Sequence, residues 1–259
     1  MPQPEISIII ASWNVKNLLR HCLNSIYVNS AGIELEIFVV DNASTDQSVE
    51  MVRSEFPEVK VIANQQNLGF GRANNLALTQ AQGKNILFLN PDTLIKKNCL
   101  ANILTFLNHN PQAGIVGCQH LNPDLSLQPS VRRFPSFWPI FLIISKIAKI
   151  FPNLNTLNNY LARDFDYNLT QLVEQVAGSF MMIRHEVIDE IGGFDESFYL
   201  WFEEVDLCRR AVNAGWQVWY FAESQIIHYG GQSFSQQLTL KKQRIFLQSA
   251  WRYFKKHGF

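Results

Sequence analysis

Cysteine is scarce in this sequence and unpaired in its spacing. Cys22, Cys99, Cys118 and Cys208 are the only four in 259 residues, and no C-x-x-C occurs. That argues against a disulfide framework or a thiolate zinc site and points to a reducing, cytoplasmic compartment. Long apolar runs are lacking too. Ile6 to Ile10 is too short for a signal sequence, and FWPIFLIISKIAKIF, from Phe137 to Phe151, is interrupted by Pro139, Lys146 and Lys149. Neither can cross a bilayer. The opening MPQPE carries no basic residue, so nothing there reads as an export signal. Charged residues make up 17%, and acids are missing from two stretches, Leu125 to Arg163 and Ser224 to Phe259. These hold five and six of the 22 Lys and Arg, although the net charge is zero. Each block is either a solvated helix face or a surface for an anionic partner, a phosphorylated substrate or a membrane. Nucleic acid is not an expected partner.

What is present suits a large α/β core. Hydrophobic residues reach 47%, with 19 Phe and 6 Trp, enough apolar surface to offset the entropy of ordering the chain. The β-branched run Ile6 to Ala11 reads as a strand buried on both faces, and Leu18, Leu19, Cys22, Leu23 and Ile26 follow with helical spacing. Leu35 to Val40 and Val59 to Ala63 are further strands around a short helix at Val49, Val52 and Phe56. A helix over Ala73 to Gln80, stopped by Gly83, precedes a strand at Ile86 to Leu89. Parallel strands with crossover helices follow, and ligands of such sheets bind at the carboxyl ends of the strands. Ser12-Trp13-Asn14, Asp41 to Asp46 and Asn90-Pro91-Asp92-Thr93 therefore converge on one expected crevice.

Several ordered motifs narrow the reading: VVDNASTD, NLGFGRANN, FLNPDT, GSFMMIR, GGFDESF, FEEVDLCRR and IIHYGGQS. Together they resemble the successive motifs of family 2 glycosyltransferases, closest to the bacterial rhamnosyltransferase-like branch of surface polysaccharide assembly, over roughly residues 5 to 235. The resemblance implies a GT-A type α/β fold: a Rossmann-like nucleotide-binding half with a mostly parallel sheet, fused to an acceptor-binding half. Residues 1–124 would form the first half, 125–239 the acceptor and catalytic half, and 240–259 a basic amphipathic helix within one overall domain. It also implies an inverting transfer from a dTDP-, UDP- or GDP-linked sugar to a saccharide or lipid-linked acceptor. A sugar-nucleotide pyrophosphorylase would need a Gly- and Lys-rich loop near Ser12, which is missing; a sugar-nucleotide-binding module without activity would have lost the acids, which remain.

Each candidate residue has a chemical reason and a bland alternative. Asp41 at a strand end can accept hydrogen bonds from a ribose diol or base, or simply cap the following turn, a task open to Ser44 and Asp46 as well. Ser12, Asn14, Asn42 and Asn90 flank it as donor-binding candidates. Asp92 would hold a divalent metal, Mn2+ or Mg2+, against the donor diphosphate. Many relatives have D-x-D where Asn90 stands, so this site carries one charge fewer. His228 matches a position that can add a metal ligand, favouring Mn2+, or is a structural hydrogen-bonder. Gly69 and Gly71 make a tight loop that places Arg72 and Asn75 toward base or diphosphate; the G-x-G-x-x-N string follows the third strand, so it is not a dinucleotide fingerprint. Gly178, Ser179, Asp195 and Trp201 are expected around the acceptor and sugar, whereas Met181 and Met182 belong to the core. Glu203, Glu204 and Asp206 crowd the first turn of a helix. They are catalytic candidates with Glu204 at the matching base position and Glu203 its competitor; alternatively they favour the helix dipole, with Asp206 paired to Arg210. Phe137 to Phe151 reads as an interfacial helix at an anionic membrane or as a helix over the acceptor cleft, and the tail from Leu240 suits membrane contact or core packing.

Overall fold

A computed structural model describes residues 3–230 and 239–258. The first strand, β1 (Ile6–Ser12), buries both faces as its composition requires: Ile8 and Ile10 enter one core and Ile9 the other. The next strand, β2 (Leu35–Asp41), repeats this, with Ile37 and Val39 on one face and Phe38 and Val40 on the other. Helices α1 (Lys16–Asn29), α2 (Ser48–Glu55) and α4 (Cys99–His109) cover the first core. Against the second core pack α3 (Phe70–Leu78), α8 (His185–Ile191) and α9 (Glu203–Asn213). The result is three layers, helices on each side of one sheet.

Around β1 the sheet is parallel: β3 (Lys60–Ala63), β2, β1 and β4 (Asn85–Leu89) lie side by side. Next to β4 comes β11 (Phe180–Arg184), antiparallel to both β4 and β6 (Ala113–Leu121). Met181 and Met182 are buried in it, as expected. The long β12 (Gln217–His228) runs parallel to β6 and antiparallel to the short β5 (Thr93–Ile95), with His228 opposite Thr93. Strand β7 (Leu127–Gln128) edges β6. Beside the main sheet, β8 (Val131–Arg132) and β10 (Gln175–Val176) form a small ladder, and β9 (Gln171–Leu172) pairs with β12.

Three local expectations change. Helix α3 begins at Phe70, not Ala73, because Gly69, at φ 85°, turns the chain where an added Cβ would meet the Tyr199 carbonyl at 2.3 Å. Gly83 does not stop that helix. It passes β1 so closely that a Cβ would lie 2.4 Å from the Ser7 nitrogen. The segment from Phe137 is two helices, α5 (Phe137–Ile144) and α6 (Ile147–Ile150), broken where Lys146 turns left-handed at φ 62°. A third apolar cluster joins Ile140 of α5, Tyr160 of α7 (Asn155–Tyr160), Phe202 and Val205 to Ala250, Tyr253 and Phe254 of α10 (Thr239–His257). The tail's apolar residues thus serve mainly as packing.

Candidate active site

A cavity of about 400 Å³ opens beside the carboxyl end of β4. Its walls include Asn90, Gly178, Ser179, Trp201, Glu203, Glu204 and His228, all named from the sequence. Trp201 and Phe202 both take left-handed backbone angles, φ 66° and 70°, just before α9. For bulky residues that conformation is strained, and strain of this kind persists where packing over-determines it. Phe202 is locked between Phe246 and Tyr253, so the turn delivers Glu203 and Glu204 to the cavity at the start of the helix.

The two glutamates differ in setting. Glu203 is 3% exposed, and its Oε2 is buried without a hydrogen-bond partner among the described residues. Burial first, and the Glu204 charge second, hold its carboxyl well above the usual range. Glu204 is half-buried; burial raises its pKa while the charge of Arg132 works against the rise. Asp206, the third acid of the turn, is fully buried away from the cavity lining. It accepts from Arg210 Nε at 2.8 Å, Lys256 Nζ at 2.8 Å and His257 Nε2 at 2.7 Å. The expected catalytic candidate is therefore a clamp between α9 and α10. Asp195 likewise pairs with Lys256 at 2.7 Å and does not line the cavity, because its loop is drawn to α10. The Lys256 ammonium and local hydrogen bonds, opposed by burial as the largest influence, leave its pKa lowered to about 2.

On the other side, β12 carries His228 to Asp92. Gln128 Nε2 donates to Asn122 Oδ1 and to the His228 carbonyl, so Gln128 Oε1 accepts from His228 Nδ1–H at 2.7 Å. In the neutral ring that leaves Nε2 as the lone-pair nitrogen. It is buried without a hydrogen-bond partner among the described residues, 3.4 Å from Asp92 Oδ1. Two acceptors facing each other fit a cation between them, and one imidazole with one carboxylate suits a divalent ion completed by phosphate and water. No cluster of three His, Cys, Asp or Glu that could hold a metal occurs among the described residues.

The expected donor loops lie at the ends of β1 and β2, where Ser12 stands opposite Asp41. Asp41 Oδ2 accepts from Ser44 N at 2.8 Å, the turn role foreseen for it, while Oδ1 is buried without a hydrogen-bond partner among the described residues, as is Ser12 Oγ. Asp46 Oδ1 accepts from the N–H and hydroxyl of Ser48 at the start of α2. Three further donor-binding candidates turn out to hold loops together. Asn14 Oδ1 accepts from Thr45 N; the Asn42 amide spans the Gly69 carbonyl, Asn64 and the Leu68 N–H; Asn75 bonds both the N–H and carbonyl of Phe194. Asn75 thus ties α3 to the G-G-F-D turn, and its amide is used up there instead of facing a donor. Arg72 is exposed and lies 3.6 Å from Glu196. Of the three converging loops only Asn90 lines the cavity. The motif residues Gly231, Gln232 and Ser233, and the side chain of Lys241, lie outside the described residues.

Several participants were not singled out as site residues from the sequence, although Arg132 lies in the first acid-free basic block. Arg132, Tyr160, Gln175 and Phe246 line the cavity. His120 is buried under it and donates through Nδ1 to the Cys118 carbonyl, so its Nε2 accepts from Ser179 Oγ at 2.7 Å. Burial drops the His120 pKa to about 3, which keeps the ring neutral.

The profile of Glycosyl transferase family 2 matches residues 7–192. N-acetylglucosaminyl-diphospho-decaprenol L-rhamnosyltransferase of Mycobacterium tuberculosis (strain CDC 1551 / Oshkosh) is 26% identical over 213 residues, 77% of this chain and 68% of that protein. Rhamnosyltransferase WbbL of Escherichia coli (strain K12) is 29% identical over 193 residues, 71% of this chain and 69% of WbbL. Among solved structures, the mannosyltransferase PcManGT from Pyrobaculum calidifontis, in complex with GDP-Man and Mn2+, superposes with a TM-score of 0.65 at 18% identity. The match covers 98% of this chain but 65% of that one, and it bears on the fold alone.

Proposed function

The chain belongs to glycosyl transferase family 2, and on that premise we propose that it transfers a deoxyhexose from a nucleoside diphosphate to a lipid-linked saccharide in surface polysaccharide assembly. The observation that carries this is where its unsatisfied polar atoms lie. Buried polar groups are nearly always hydrogen-bonded. Here the buried side-chain atoms without such a bond, among the described residues, are on Ser12, Asp41, Glu203 and His228, plus Asn74. Four of these five coincide with residues expected to meet donor, metal or acceptor.

Ser12 and Asp41 would receive the nucleoside, and Asp92 with His228 would hold a divalent ion, Mn2+ or Mg2+. When bound, that ion supplies positive charge to the departing diphosphate. Glu204 takes the proton of the acceptor hydroxyl as its oxygen bonds to the anomeric carbon and the bond from that carbon to the diphosphate oxygen breaks on the opposite face. The configuration inverts. A base raised above the ordinary carboxylate range by burial is better matched to a hydroxyl proton, and such assistance contributes about 10²–10⁴-fold. Relatives named as rhamnosyltransferases support the deoxyhexose, and the decaprenol in one name supports the lipid. Exposed Phe137, Trp138 and Phe141 beside Lys146 and Lys149 support contact of this cytoplasmic enzyme with the inner membrane face.

The test is a panel of UDP-, GDP- and dTDP-sugars, read by donor turnover and nucleotide affinity. Glu204→Gln should lower kcat by about 100-fold or more with nucleotide affinity intact, and Glu203→Gln should be milder. Full activity in Glu204→Gln would remove the base from this reading.

A further inference from the structure

Arg132 is a cation in the cavity whose charge bears on Glu204 but which neither belongs to the metal pair nor takes the acceptor's proton. Its strand β8 is held firmly: Gln175 pairs with Arg132 across the small ladder, and Gln175 Nε2 donates to the Arg133 carbonyl at 2.6 Å. The adjacent Arg133 is bound to Asp164 through two bonds of 2.9 and 2.7 Å and is satisfied outside the cavity lining. Arg132, by contrast, makes no ion pair among the described residues, although Arg20, Arg72, Arg133, Arg184 and Arg210 all do. Its guanidinium lies 5.9 Å from the centre of the Tyr160 ring, which also lines the cavity.

Tyr160 leads outward. Its ring belongs to the same apolar cluster as Ile140 on α5, and α5 packs against α7. The opposite side of α5 carries Phe137, Trp138 and Phe141, all of them exposed, Trp138 by 64%. Glu204, Arg132 and Tyr160 thus line one cavity, and the helix packed beyond Tyr160 carries exposed apolar rings. An amphiphile with a hydroxylated head, an anionic link and a hydrocarbon tail combines the same chemistry. Guanidinium is the side chain best suited to phosphate oxygens, through two parallel N–H donors.

We propose that Arg132 binds the phosphate linking the acceptor saccharide to its lipid. This rests on the glycosyltransferase reading and names a site on its acceptor side. The same guanidinium could meet the donor's diphosphate, so the experiment separates the two anions. Calorimetry in EDTA, which silences the metal-dependent donor site, compares farnesyl diphosphate with farnesol. Wild type and Asp92→Ala should both prefer the diphosphate by at least tenfold; Arg132→Ala should lose that preference and Arg132→Lys keep part of it. Binding of a nucleoside diphosphate with Mn2+ should be unchanged in Arg132→Ala, whose exposed position also spares the fold. The proposal is overturned if wild type shows no preference, if Arg132→Ala retains it, or if that variant loses nucleotide affinity by the same factor. Should no nucleotide sugar be turned over while Arg132→Ala still loses the preference, the transferase reading fails and the anion site stands.

Discussion

Glu203 and Glu204 follow each other in the chain and line one cavity, yet burial divides their work. Glu203 is the more deeply buried, so its carboxyl holds its proton far above the usual range, while half-buried Glu204 is restrained by Arg132. A base must be ionised to act, so kcat/KM should rise with pH through the elevated Glu204 pKa, and Arg132→Ala should move that rise to higher pH. Stability has the opposite slope. The folded state keeps a proton on Glu203 that the unfolded chain has lost, so stability falls as pH climbs from the ordinary carboxylate range toward Glu203's raised one. Glu203→Gln removes this loss. Its melting temperature should therefore gain on the wild type as pH rises from the ordinary carboxylate range toward the raised one of Glu203. Parallel curves for the two proteins would mean that Glu203 is not protonated in the fold.

At the scale of elements, α10 depends on one buried carboxylate. Arg210, Lys256 and His257 all converge on Asp206, which is fully buried. Removing one partner of such a cluster strands the others, so Asp206→Ala should cost about 3–5 kcal/mol in urea unfolding. A loss below about 1 kcal/mol would show that the apolar contacts of Tyr253 and Phe254 hold the helix unaided. The exposed face of α5 permits a different test. Trp138→Ala with Phe141→Ala should reduce pelleting with anionic vesicles and leave the melting temperature unaltered, since neither ring is in the core. Lys146 and Lys149 at the break beyond α5 should make that binding salt-sensitive, at about 1 kcal/mol per engaged cation. Vesicle binding unaffected by the double variant would assign the contact to another surface.

Across the whole molecule, the sheet brings distant residues to one place. The pairing of β12 with β5 sets His228 opposite Thr93 and so beside Asp92, while insertion of β11 between β4 and β6 carries Ser179 to Asn90, whose N–H donates to the Ser179 carbonyl. A ligand that binds only the assembled fold stabilises it by mass action, about 2.7 kcal/mol at a hundredfold excess over its Kd. A nucleoside diphosphate should accordingly raise the melting temperature when Mn2+ is present and much less in EDTA. In His228→Ala and Asp92→Ala the two conditions should converge. A metal-dependent shift that survives both substitutions would place the cation elsewhere.

The β-branched runs located the strands of the first half because a strand buried on both faces needs apolar residues on both sides, and Ile6, Ile8, Ile9 and Ile10 can satisfy little else. The acids after those strands were legible for a similar local reason: polar residues interrupting apolar runs mark strand ends, where open sheets bind ligands. Direction was not legible. Successive helical residues turn by about 100°, so Asp206 points roughly 200° around α9 from Glu204; which of them met the cavity depended on what packed against each side. Nor could spacing reveal that Asn14, Asn42 and Asn75 would spend their amides on neighbouring loops, since those loops meet only after folding. Arg132 and His120 stand in short or buried strands with no periodic or motif signal. Their roles come from tertiary structure, which set one guanidinium on a tyrosine at the cavity wall and one neutral imidazole under Ser179.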